Sequence, residues 1–378
     1  MRYLCTVCGR DYELSTLLWR CDCGGILDLI PVPMTLADID SRGSGVWRYA
    51  NLLPPVPPED RLVLGEQMTP LIDRSDLGVR LKLDYLLPSG SYKDRGACVL
   101  VSRLRHLGVK EIVLDSSGNA GAAISTYCAA GSIGSRVFVP AGNSPGKLAQ
   151  IAAVGARLEP VPGLRTDAAA AAMAAAADTF YASHNWHPDF IAGLASVGWE
   201  IWEQLGRRVP SSILAPCGNG GIILGLSRAF DALVRGGLIE AAPRIVAVQS
   251  EAFDSIADAM ERGLQEPQPR SHGHTLAEGI ACELPVRGPQ VLAALRASEG
   301  LAIAVTEAQI RDAVLSLASS GVYVEPTAAV GLAGVTGLRA RGLDAMLGDD
   351  PVVVLTGSGL KSGRTVADLG SPDWWPDV

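Results

Sequence analysis

Residues 111–131 read EIVLDSSGNAGAAISTYCAAG. A short apolar run, Ile112 to Leu114, stops at Asp115. A polar turn rich in Ser and Gly follows, and an Ala-rich stretch comes after it. The pattern predicts strand, turn, helix. It recurs along the chain. Residues 135–161, SRVFVPAGNSPGKLAQIAAVGARLEPV, read strand, turn, helix, strand. Residues 211–237, SSILAPCGNGGIILGLSRAFDALVRGG, repeat the beat and lead to the strand RIVAVQS at 244–250. Near the end, PVVVLTGSGLKS at 351–362 is again an apolar run stopped by a Gly-rich turn. Apolar runs alternating with helices predict a parallel sheet covered by helices, an α/β class. In such sheets the ligand lies beyond the carboxyl ends of the strands, where these turns fall.

The 378 residues allow two or three domains, and 48% apolar content allows a large core. A formal charge of −8 argues against nucleic acid or an anionic membrane as a partner. The run DAAAAAMAAAADTFYA at 167–182 is Ala-rich, carries two Asp, and reads as a packed helix rather than a membrane span. The N-terminus has no apolar signal core, so a cytoplasmic protein is expected. Residues 31–62 are Pro-rich and are expected to be irregular surface chain.

The stretch PSGSYKDRGA at 88–97 places Lys93 among turn formers. Ser91 can cap a helix starting near Tyr92, which puts Lys93 in the first turn, where the helix dipole disfavours positive charge. Either the lysine is needed neutral or covalently occupied, or Asp94 simply neutralises it. Three turns could carry chemistry. In PCGNGGIILG (216–225), the amides from Gly218 through Asn219, Gly220 and Gly221 to Ile222 can converge on an anion, or the glycines serve tight packing. In DSSGNAGAA (115–123), Ser116, Ser117, Gly118 and Asn119 can hold a carboxylate, or act as ordinary caps. In LTGSGLKS (355–362), Thr356 and Ser358 end an apolar strand. A lysine, a phosphate cradle and a carboxylate loop on one side of an α/β sheet are what a phosphorylated aldehyde cofactor requires.

Cys5, Cys8, Cys21 and Cys23 lie close to Gly9, Gly24 and Gly25 and resemble a zinc ribbon. The second pair is spaced C-x-C, tighter than usual. The reading leaves open a structural zinc or a ribbon without metal. Cys98, Cys128, Cys217 and Cys282 are scattered and read as small core residues.

Taken together, PSGSYKDRGA, SSGNAGAA, GNGG and TGSGLKS, with LGEQMTPL (64–71) and VEPTAAVGLAG (324–334), resemble the motifs of the fold-type II pyridoxal-phosphate enzymes. This is the tryptophan synthase β-like superfamily, and the most similar branch is the threonine synthases. The matches run from residue 5 to 362 in the family's order. The resemblance implies two three-layer αβα domains behind an N-terminal zinc-ribbon-like segment. The ribbon would span 1–30, the large cofactor-binding domain 31–99 and 199–378, and the small substrate-loop domain 100–198. It implies pyridoxal 5'-phosphate on Lys93, which then acts as acid and base. It places Asn119 at the ring oxygen, Gly218 to Ile222 around the phosphate and Thr356 at the pyridine nitrogen. Ser116, Ser117 and Gly118 would hold the carboxylate of a small amino-acid substrate, and a homodimer would be usual.

The chain departs from the threonine synthase pattern at two places. Ser358 stands where His is usual, and HNWHPDFIAGLASVGWEI (184–201) replaces a basic, amide-rich stretch. Leu194 and Ala195 would hold a phosphate poorly. Lys147 and Arg165 could supply charge or be solvated; His187 could bind substrate or be structural. Two reactions therefore stand. One is loss of phosphate from O-phosphohomoserine with addition of water. The other is β-elimination or β-replacement on a serine, phosphoserine or threonine-like amino acid, by a dehydratase or cysteate-synthase-like enzyme.

Overall fold

A computed structural model describes residues 1–143, 145–362 and 369, with 145–147 given by backbone alone. The chain begins with a three-stranded antiparallel ribbon in the order β2-β1-β3, formed by β1 (Tyr3–Cys5), β2 (Asp11–Tyr12) and β3 (Leu27–Leu29). Next come the strands β4 (Leu71–Arg74) and β5 (Val79–Lys82) and the helix α1 (Lys93–His106). The predicted beat then appears as β6 (Glu111–Leu114), α2 (Asn119–Ala130), β7 (Gly134–Pro140), α3 (Pro145–Ala153), β8 (Arg157–Val161), α4 (Arg165–Ala175) and β9 (Phe180–Tyr181). Helices α5 (Pro188–Leu194) and α6 (Ser196–Gln204) lead to β10 (Ser212–Pro216) and α7 (Gly221–Arg235). The last strands are β11 (Arg244–Ser250), β12 (Leu301–Val305) and β13 (Pro351–Val354).

By internal contacts the chain divides into two units. The first comprises Met1–Met68, Leu87–Gly198 and Arg228–Glu240. It holds the ribbon and a four-stranded parallel sheet, β8-β7-β6-β9. Ala168 and Ala172 of α4 pack on Val113, Phe138 and Tyr181 of this sheet. That is why the Ala-rich run is a packed helix as far as Ala175: methyl-sized side chains let it sit close to the strands, while its end, Phe180–Tyr181, is not helix but the strand β9. Residues 31–62 are not merely surface chain. Their 3₁₀ turn Gly45–Leu52 buries Trp47, Tyr49 and Leu52; Leu53, Val56 and Leu62 are buried beyond it, and the Trp47 indole donates to the Leu62 carbonyl at 2.9 Å. The prolines had masked these apolar anchors.

The second unit comprises Thr69–Leu86, Trp199–Ser227 and Ala241–Val378. Its six-stranded sheet runs β12-β11-β10-β13-β5-β4, parallel except for the edge hairpin β4–β5. The helix Pro326–Ala340 lies on this sheet through glycines. A Cβ on Gly331 would meet Val353 at 2.8 Å, and one on Gly334 would meet Val248 at 2.5 Å. The AAVGLAG part of its sequence is thus a packing surface. The mixed α/β class with an N-terminal ribbon is the expected one. Among the described residues no helix is long and apolar enough to cross a membrane.

The second unit also buries charge. The Lys82 ammonium donates to Glu200 at 2.6 Å, to Gln204 at 2.8 Å and to the Thr69 carbonyl at 2.7 Å. Thr69 Oγ1 donates to Asp84 at 2.7 Å. Lys82, Asp84 and Glu200 are all fully buried. Removing one member strands its partner's charge, whereas replacing both with apolar residues removes the problem. We predict that Glu200→Ala lowers the stability of the chain by about 3–5 kcal/mol and that Lys82→Met with Glu200→Leu recovers most of it. Equilibrium denaturant unfolding measures both; equal losses in the single and double variants would contradict the assignment.

Candidate active site

In the first unit the turn before α1 is built on Asp94. Its carboxylate accepts the Ser89 amide at 2.6 Å. Ser91, the expected cap, does not cap: the helix starts at Lys93 with Tyr92 as the flanking residue and no side-chain cap. The Ser91 hydroxyl is buried with no protein partner among the described residues. Lys93 opens the helix as expected, half-buried, and among the described residues it makes no ion pair. Its ammonium instead sits 4.7 Å from the Tyr92 ring centroid and 5.8 Å from that of Phe190. Two aromatic faces partly compensate for a charge that the helix start opposes.

Phe190 reaches Lys93 because α1 and α5 cross closely. A Cβ on Gly96 would lie 2.6 Å from the Phe190 ring, and one on Gly193 would lie 2.2 Å from the Arg95 carbonyl. Sequence reading missed Phe190 and both glycines, although Gly96 stands one helical turn after the lysine. The His184 ring lies 5.9 Å from that of Phe190. Burial, then the positive charges of Lys93 and Arg165, push its pKa well below the usual imidazole range, so it stays neutral. His187 is buried and caps α5: its Nδ1 accepts the Asp189 amide at 3.2 Å. Its ring packs against Tyr3 and Phe180. The side chain of Lys147 lies outside the described residues; Arg165 is exposed at the start of α4.

The Ser116–Asn119 turn joins β6 to α2 in the same unit. Ser116 Oγ lies 3.4 Å from the Gly118 amide, and Asn119 is the first residue of α2. A Cβ on Gly121 would lie 1.9 Å from the Ser116 carbonyl, so only glycine lets the turn fold onto its helix. Around Gly118 there is open space. Asp115, just before the turn, receives the Tyr181 hydroxyl at 2.6 Å. Burial raises its pKa to about 6 in spite of that bond, its own backbone amide and the charge of Arg165. Glu66, from LGEQMTPL, is buried and accepts from the Tyr127 hydroxyl and the Leu64 amide.

The second unit carries the glycine turn and the late strand. The Cys217 amide donates to Val248 at 2.8 Å, and the Cys217 carbonyl accepts from Gln249 at 3.2 Å. The chain then turns through Gly218, Asn219 and Gly220 into α7 at Gly221. Gly220 has a φ of +79°, and a Cβ there would lie 2.2 Å from Val291; a Cβ on Gly218 would lie 2.9 Å from the Ile280 backbone. The Asn219 side-chain oxygen accepts from Cys282 at 3.4 Å. As at any helix start, the first amides of α7 have no acceptor within the helix, so they are available to an anion. After β13, Gly357 accepts from the Glu325 amide at 3.1 Å and Ser358 bridges to Val324. The structure thus joins the VEPT and TGSG motifs. Thr356 is only 2% exposed, and its Oγ1 has no protein partner among the described residues.

In the ribbon the thiols of Cys5, Cys8, Cys21 and Cys23 all lie within 4.8 Å of one another, with Cys5–Cys23 at 3.5 Å and Cys8–Cys21 at 3.6 Å. Metal–sulfur bonds of about 2.3 Å in a tetrahedron put sulfurs roughly 3.8 Å apart. The tight C-x-C spacing therefore does not prevent convergence, and the cluster can bind a metal. The Tyr12 hydroxyl, 3.0 Å away, leads the groups that lower the Cys21 pKa to about 6.

Residues 62–357 match the family described as pyridoxal-phosphate dependent enzyme. The chain is 32% identical over 375 residues to the threonine synthase of Methanocaldococcus jannaschii, covering 94% of this chain and 92% of that protein. It is 31% identical over 382 residues to the threonine synthase of Methanosarcina acetivorans, covering 97% and 93%. Among solved structures, the T.th. threonine deaminase superposes with a TM-score of 0.66 at 27% identity, covering 77% of this chain and 92% of that one. The chain belongs to the pyridoxal-phosphate dependent enzyme family.

The environment of Asp115 generates a pH prediction. Its folded pKa of about 6 exceeds the unfolded value of roughly 3.9. Stability from the protonated form is therefore fully present below about pH 4 and is lost as pH rises through about 6. Asp115→Asn keeps an acceptor for Tyr181. Its stability relative to the parent should rise between about pH 4 and pH 8 by up to about 3 kcal/mol. Denaturant unfolding at both pH values tests this, and a pH-independent difference would refute it.

Proposed function

We propose that this member of the pyridoxal-phosphate dependent family is a lyase of the threonine synthase type, releasing phosphate from O-phosphohomoserine and adding water. The observation that carries the reading is the likeness to a threonine synthase over 94% of the chain. The chain's own residues fit the cofactor. Lys93 is an amine free of ion pairs among the described residues, Thr356 offers a buried hydroxyl without a protein partner among them, and the turn from Gly218 to Gly221 has no room for a Cβ at two of its glycines.

In this reading Lys93 would hold the cofactor aldehyde. The amides of Gly218, Asn219, Gly220, Gly221 and Ile222 would take its phosphate, Asn119 would take its ring oxygen, and Thr356 would face its ring nitrogen. When bound, pyridoxal 5'-phosphate supplies a carbonyl for the substrate amine and an electron sink for charge developing on the substrate carbons. The Lys93 amine would also move protons at those carbons. Ser116, Ser117 and the Gly118 amide hold the substrate carboxylate through hydroxyls and the start of α2. Thr356 is a neutral donor or acceptor, which suits departure of a good leaving group. Phe190 and Tyr92 keep water from the amine. Arg165, whose charge is felt at both His184 and Asp115, is our candidate for the departing phosphate. We assign His187 to the capping of α5.

A second reading is β-elimination or β-replacement on a serine, phosphoserine or threonine-like substrate. It is favoured by the fully buried helix α5, whose residues include no Lys or Arg for a phosphate. We further read residues 100–198 as the substrate-loop portion, the ribbon metal as zinc, and the enzyme as a cytoplasmic homodimer.

Incubation of the cofactor-loaded enzyme with O-phosphohomoserine should yield equal amounts of threonine and phosphate. Pyruvate from serine or phosphoserine, with no threonine formed, would overturn the first reading in favour of the second. Lys93→Ala should lower the rate by about 10³-fold or more. The purified protein should carry zinc that is released when Cys8 and Cys23 are both changed to Ser; metal content by elemental analysis measures this, and a metal-free parent protein would refute the zinc assignment.

A further inference from the structure

Strand β1 presents two buried side chains on one face, Tyr3 and Cys5, with Leu4 outward between them. Cys5 belongs to the thiol cluster. The Tyr3 hydroxyl lies 2.9 Å from each oxygen of Asp189. Asp189 is in the first turn of α5 and is 1% exposed. Arg103 of α1 brings its Nε to 3.5 Å from the same carboxylate, while its other nitrogens donate to the Leu14 carbonyl at 2.7 Å and the Pro55 carbonyl at 2.8 Å. His187 closes the set by accepting the Asp189 amide. The residue after Asp189 is Phe190, whose ring lies over Gly96 and faces both Lys93 and His184. All these groups belong to the first unit.

We propose that Tyr3 and Asp189 are positioning residues for Lys93: the ribbon's hydroxyl fixes the start of α5 and thereby the Phe190 ring that walls the amine. The reasoning is mechanical. The carboxylate needs compensation because it is buried: Tyr3 supplies a hydrogen bond from the ribbon, and Arg103 supplies a facing charge from α1. With Tyr3 withdrawn, one of the two elements clamping the helix is lost, and the ring is free to leave the lysine. The ribbon then has a task in the site beyond its metal, since β1 is held at one end by the thiol cluster and grips Asp189 at the other. The consequence for catalysis rests on the role of Lys93 given under the proposed function; the clamp itself does not.

The test uses the full-length chain freed of cofactor. Lysines are acylated in a time course and quantified by peptide mass mapping, with exposed Lys110 as internal reference. In Tyr3→Phe, with circular dichroism unchanged, Lys93 should be acylated about tenfold faster or more relative to Lys110, the scale of one lost hydrogen bond to a charged group. In the reloaded enzyme kcat should fall while KM changes little. Asp189→Asn keeps an acceptor for Tyr3 but drops the charge facing Arg103. It should raise Lys93 acylation by a smaller factor, and it supplies the same measurement should Tyr3→Phe not fold. Unchanged Lys93 acylation in these variants would overturn the proposal. Failure of the cofactor reading would leave this labelling result standing, and failure of the clamp would leave cofactor on Lys93, so the two are distinguishable.

Discussion

The constraint on which this protein's site depends is a lysine ammonium held in the first turn of a helix with no ion pair among the described residues. The helix start opposes the charge, and Asp94, the nearest carboxylate in sequence, is committed to the Ser89 amide. What keeps the arrangement is packing. Gly96 and Gly193 let α1 and α5 touch, and that contact brings Phe190 over Lys93. A neutral His184 beside the ring adds no further charge. An amine in this setting is suited to a covalent partner or to proton transfer more than to a structural ion pair.

The contrast with Lys82 is instructive. Lys82 is fully buried, saturated by Glu200, Gln204 and the Thr69 carbonyl, and serves to organise the second unit. Two lysines in one chain thus follow opposite rules. One is satisfied on every side, and the other is left for chemistry. The same distinction separates Thr69, whose hydroxyl donates to Asp84, from Thr356, whose buried hydroxyl has no protein partner among the described residues.

Much of this could be read from the residues. The strand–turn–helix beat predicted the parallel sheets because short apolar runs and glycine turns are local features. The antiparallel edge pair β4–β5 could not be told from it, since pairing direction is a tertiary property. The first-turn position of Lys93 was legible, but its capping was not: Ser91 has the right chemistry, yet the turn is satisfied by Asp94 reaching backward. The Pro-rich run hid its buried anchors because prolines read as surface. Phe190, Tyr3 and Asp189 were invisible for a simpler reason. Their importance arises from contacts across 186 residues of chain, between Tyr3 and Asp189, that no local pattern encodes. The cysteine ribbon was legible as a cluster, and only the structure showed that its tight spacing still lets four thiols converge.

The proposed chemistry requires the amine at position 93 to carry the cofactor. Borohydride reduction of the loaded enzyme, followed by proteolysis and mass mapping, tests it directly. The reduced pyridoxyl group is expected on the peptide containing Lys93, at close to one per chain. Recovery of the group on Lys110, Lys147 or Lys361 instead, or on no lysine at all, would contradict it.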